Sequence, residues 1–135
     1  MAFLVGALLA LAVGLLATTS RLDRDRAFYP TVTIVVGALY SLFAVMGAST
    51  PVLIRESLVG AAFLAAAVIG FRSSLWIVAV ALAGHGAFDF VHGTVISNPG
   101  VPVWWPAFCG TYDVTAGAYL AWLLMSGRTP LRFHA

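Results

Sequence analysis

Five long apolar runs, separated only by short polar or turn-forming connections, leave this chain very few folds. The runs cover residues 2–18, 28–48, 52–70, 75–96 and 103–126. Each is near the roughly 20 residues with which an α-helix crosses the hydrocarbon core of a bilayer. Continuous apolar stretches predict helices, whereas the strands of a membrane barrel would alternate. An ordinary soluble domain is about 25% charged. Here 9% of the residues are charged and 61% are hydrophobic, too apolar a balance for a surface in water. The expected fold is therefore all-α: a polytopic integral membrane protein, one domain over residues 1–135, a compact bundle of five transmembrane helices.

The connections carry turn chemistry. A charged segment spans residues 20–26, Ser49-Thr50-Pro51 follows the second run, residues 71–74 follow the third, and the last loop holds Asn98-Pro99-Gly100. Pro51 and Pro106 fall at or near helix starts, where a missing N–H does little harm.

The arginines set an expected orientation. Arg21, Arg24 and Arg26 follow the first run, Arg72 the third, and Arg128 and Arg132 the fifth, so an odd span count puts them all on one side. The positive-inside rule makes that side cytoplasmic, with the N-terminus outside, the C-terminus inside and the protein multi-pass in the cell membrane. Only Arg55 lies toward the opposite face. The first run has no basic segment before it and its arginines after it, the reverse of a signal peptide. Seven dispersed arginines and no lysine are too few for a nucleic-acid surface. The single Cys109 excludes an intramolecular disulfide.

Within the fourth run, His85, Asp89 and His92 recur as His-x3-Asp-x2-His. At 3.6 residues per turn they share one helical stripe, within roughly 60° of one another. Each ionisable group in hydrocarbon costs on the order of 3 kcal/mol even on a lenient insertion scale, so such groups face a bundle interior and pair. With the expected topology, Asp113 and Tyr112 on the fifth helix, Glu56 beside Arg55 on the third, and Tyr40 on the second fall at similar depth, in the outer half of the bilayer. His85, Asp89, His92 and Asp113 are the expected metal ligands, and Glu56, Tyr40 and Tyr112 the expected proton donors or acceptors. Polar residues also join membrane helices without further function. Trp76, Trp104 and Trp105 read as interfacial anchors, Arg55 as a snorkelling partner of Glu56, and Cys109 as a small buried hydrophobe whose removal changes metal binding little.

Imidazoles with carboxylates form a nitrogen/oxygen donor set suited to a divalent transition metal, Zn, Fe, Mn or Cu. His85 and His92 stand nearly two turns apart and cannot both reach one ion unaided. Either Asp89 lies between two sites or one imidazole stays outside the metal shell. The expected function is a metal-dependent enzyme acting on a membrane lipid or other apolar substrate. The alternatives are a small transporter for a metal ion or proton-coupled solute, with a homo-oligomer expected at this size, and an accessory subunit of a larger membrane complex. A transporter needs a second polar cluster toward the inside, where Thr18, Thr31, Ser73, Ser74 and Thr115 offer little.

Overall fold

Local signals place the helix boundaries. Proline occupies the first turn of the third and fifth helices, and the Ser74 hydroxyl accepts from the Trp76 amide at the start of the fourth. Both devices relieve amides that no intrahelical carbonyl can reach. The computed structural model describes residues 1–47 and 49–128. Among them are five helices: α1 (Ala2–Ser20), α2 (Phe28–Met46), α3 (Thr50–Arg72), α4 (Leu75–Val95) and α5 (Trp105–Met125). Every end falls within two residues of an apolar run. Arg132, counted among the topology signals, and His134 lie outside the described residues.

Helices α1 to α4 are long and apolar enough to cross a membrane. The fifth expected span, α5, has the length at 21 residues but is diluted by Gly110, Thr111, Tyr112, Asp113, Thr115 and Gly117. Its position explains that composition. Helix α5 packs between α1 and α4, so much of its surface meets protein rather than the surroundings. Helix α4 is central, touching α5, α3 and α2, while α2 and α3 form a second antiparallel pair.

Close approach between these apolar helices depends on small residues, which let their backbones meet. The buried stripe of α1 is Gly6, Ala10, Gly14 and Ala17, laid against α5. The α4–α5 crossing is also close. A Cβ added at Gly86 would stand 2.6 Å from the Gly110 carbonyl oxygen and 2.9 Å from the Val114 amide. That contact brings the polar faces of the two helices together.

The 21–27 connection is tied down at both ends. Arg21 and Arg26 take left-handed backbone conformations (φ 65° and 68°) that turn the chain back toward α2. The Arg26 guanidinium donates to the Phe71 carbonyl at 3.2 Å and to the Gly70 and Ser73 carbonyls at 3.5 Å. A cation there satisfies the last carbonyls of α3 and opposes the negative end of its dipole.

Candidate metal centre

Helix periodicity puts His85, Asp89 and His92 on the buried side of α4. The Gly86–Gly110 crossing then sets α5 close enough for its own polar stripe, Cys109 and Asp113, to meet them. His85 Nδ1 lies 2.7 Å from Asp113 Oδ2 and 3.7 Å from Asp89 Oδ2. The Cys109 thiol donates to Asp113 Oδ2 across 3.6 Å. One donor atom from each of His85, Asp89, Cys109 and Asp113 lies within 4.8 Å of the other three. All four residues are at most 2% exposed. The cluster could hold a metal ion.

Its electrostatics are unbalanced without a cation. Both oxygens of Asp89 and Oδ1 of Asp113 are buried with no hydrogen-bond partner among the described residues. Two carboxylates face one imidazole, so with both ionised even a protonated His85 leaves a net negative charge in a low-dielectric interior. Unpaired buried charges cost several kcal/mol each. Nearby groups add shape rather than charge. The Phe63 ring meets His85 edge-on at 4.7 Å between centroids. The Tyr40 hydroxyl is buried and faces Asp89, close enough to share a hydrogen bond with it on a small side-chain movement.

His92 occupies a different place. Its Nε2 lies 2.9 Å from Glu56 Oε1 on α3, and its ring stacks on Tyr40 at 3.9 Å. The Asn98 side chain donates to the same Glu56 oxygen at 2.8 Å and to the Tyr40 carbonyl at 3.1 Å. The expected group thus divides. His85, Asp89 and Asp113 come together, His92 pairs with Glu56 one to two turns nearer the α4–α5 loop, and Tyr40 stands between the pairs. Tyr112 is half-buried and lines a groove on the far side of Cys109.

Two features escaped the sequence reading. Cys109 joins the donor group; its i, i+4 spacing from Asp113 was the available signal. At the opposite end of the bundle, Asp23 is buried, accepting from the Thr18 hydroxyl at 2.8 Å, and Thr18 Oγ1 also lies 3.1 Å from the Tyr119 hydroxyl. The Tyr29 hydroxyl, buried without a partner, is near Asp23 and Tyr119. Asp23 reads as part of a solvated turn until the turn's conformation is known.

A groove of about 510 Å³ runs between α1 and α2 with α5 as its floor. Leu9 and Val13, Phe28, Val32 and Val35, and Phe108 form its apolar walls, and Cys109 and Tyr112 border it. Cys109 therefore has the donor cluster on one side and an apolar groove on the other. This arrangement defines a helical bundle with a buried, possible metal-binding His/Asp/Cys group. Comparison with family models, curated proteins and solved structures finds no match to the chain.

Proposed function

We propose that this protein is an integral-membrane metalloprotein, N-terminus outside, acting as an enzyme on a lipid or other apolar substrate. His85, Asp89, Cys109 and Asp113 hold a divalent transition metal. The observation that carries the reading is the trio of buried carboxylate oxygens without partners, gathered around an imidazole and a thiol. A divalent ion cancels the charge of both carboxylates, whereas a protonated His85 offsets only one of them. A tetrahedral ion with bonds of about 2.0–2.3 Å spaces its donors roughly 3.3–3.8 Å apart, so side-chain rotation draws in the donors up to 4.8 Å apart and opens the His85–Asp113 contact from 2.7 Å. Mixed nitrogen, oxygen and sulfur donors favour zinc or iron over manganese. When bound, such an ion supplies Lewis acidity or an activated water.

The groove supports the choice of substrate. Its volume suits a small-molecule site, its walls are apolar, and its floor passes Cys109. A chain lying there reaches the cluster without crossing water. Tyr112 borders the same groove and can hydrogen-bond a substrate, while Tyr40 can hold or return a proton at Asp89.

The test is elemental analysis of protein purified without chelator, then incubation of the metal-loaded protein with a total lipid extract and mass spectrometry of the products. His85→Ala, Asp89→Ala and Asp113→Ala are each expected to lower bound metal and product together. Absence of metal after reconstitution with Zn, Fe, Mn and Cu overturns the reading. One observation favours a second reading, transport: the part-buried Asp23–Thr18–Tyr119 group at the other end supplies a polar step toward that face. Zinc or proton flux through proteoliposomes, abolished by Asp23→Asn, would place that reading first.

A further inference from the structure

A fully buried ion site needs an entrance, and the two approaches to this one differ in chemistry. The groove side is mainly apolar, with Asp25, Thr31 and Tyr112 among its few polar side chains, so a divalent cation there would shed its hydration for little in exchange. The other side leads through Tyr40 to His92, Glu56 and Asn98, a continuous run of polar side chains ending in the α4–α5 loop. From the geometry we infer that Glu56 and His92 form the entry port for the metal ion, and that Asn98 is its plug. This rests on the metal-centre reading above and adds a route and a second, transient cation site to it.

Three observations carry the inference. Glu56 is a carboxylate 1% exposed on a helix otherwise almost devoid of buried polar groups, and its visible partners are His92 and Asn98. Its imidazole donor, itself a metal-ligand type, and its neutral amide donor both reach the same oxygen, Oε1. The Asn98 amide bridges Glu56 and the Tyr40 backbone, and its own oxygen accepts from the Gly100 amide at 3.2 Å. Thus a loop residue, not a helix residue, closes the end of the polar run. The loop is itself seated against the end of α2, where a side chain at Gly100 would collide with the Phe43 carbonyl. Moving Asn98 aside exposes one negative and one neutral ligand to the loop side. The ion can then pass from Glu56 and His92 to Asp89, the next carboxylate along α4.

The port and the centre make separable predictions. A port residue governs how fast the ion arrives, while a ligand governs how much is held. The full-length protein, stripped of metal by chelator and kept in detergent, is mixed with Co²⁺, and the cobalt–thiolate absorption that marks arrival beside Cys109 is followed by stopped flow. Clefts bearing one sign of charge raise association rates by about 10- to 1,000-fold. Glu56→Gln is therefore expected to slow loading about tenfold or more with final occupancy unchanged, and Glu56→Asp to recover most of the rate. Asn98→Ala is expected to accelerate loading, and Glu56→Gln added to it to slow loading again, a dependence that general loosening of the fold would not show. Equal loading rates in wild type, Glu56→Gln and Asn98→Ala overturn the port, as does a fall in final cobalt content in Glu56→Gln, which would make Glu56 a ligand. Failure of wild type to bind cobalt at all overturns the metal centre instead.

Discussion

Replacing Asp89 by asparagine keeps the shape of the side chain and removes its charge, at the position where the structure leaves both carboxylate oxygens without partners. In metal-free protein the nearest compensating group is His85 Nδ1 at 3.7 Å. With an effective dielectric of about 20, unit charges at that separation attract by roughly 4 kcal/mol. The effective desolvation penalty is several kcal/mol per buried ion, and His85 is shared with Asp113, so the ionised Asp89 gains no net stability from it. Asp89→Asn should leave the metal-free fold unharmed or more stable, because one buried charge disappears while His85 keeps Asp113 as its partner. The bound form responds in the opposite sense. Metal at 100 times its dissociation constant stabilises wild type by about 2.7 kcal/mol, and this increment should vanish in Asp89→Asn. Thermal melts in detergent, each run with metal and with chelator, read both quantities, with elemental analysis alongside. A metal-free variant less stable than wild type, with the metal increment intact, would refute the reasoning and leave Asp89 as a packing residue.

Reporter fusions after Arg26 and after Ala135 should both read cytoplasmic; a split result means that the chain does not cross the membrane five times. Cys109→Ala should abolish the cobalt–thiolate band and weaken metal affinity at least tenfold, whereas an unchanged affinity removes sulfur from the donor set. Gly86→Ala places a methyl 2.6 Å from the Gly110 carbonyl, so overpacking of about 1–3 kcal/mol should lower the melting temperature, and bound metal should fall as His85 and Asp113 separate. An unaltered melting temperature and metal content would mean that the crossing does not set the site.

Much of the fold was legible because membrane-length apolar runs admit few structures. Hydropathy and proline position place each helix end within two residues. The site was legible in part for a similar reason: charged groups in a hydrocarbon-rich helix have few places to go, and helical spacing says which of them share a face. Spacing along α4 also warned that His85 and His92 would not serve one ion, and the structure gives His92 a separate partner. What spacing cannot supply is the rotation of one helix against another. Whether Cys109 faces lipid or Asp113, and whether Glu56 meets an arginine or an imidazole, depends on helix crossings set by glycines. Loops were least legible. Asn98 looks like turn chemistry and also holds Glu56, and Asp23 is buried because two left-handed residues redirect the chain around it.

The least apolar helix carries half of the donor cluster, and this follows from the packing rather than contradicting a membrane location. A helix facing lipid on most of its surface has no room for Asp113, Cys109 and two glycines in its buried turns. A helix held between two others does, because its neighbours cover its flanks and present apolar surface in its place. The glycines at the α4–α5 crossing bring backbones close, and close backbones are what let short side chains such as Asp and Cys reach across to His85. The same crossing leaves Cys109 with its other side on the α1–α2 groove. One packing decision, small residues on α5 facing α4, thus creates both the polar centre and its contact with an apolar chamber. A helix pair built only for adhesion would have no need of the second.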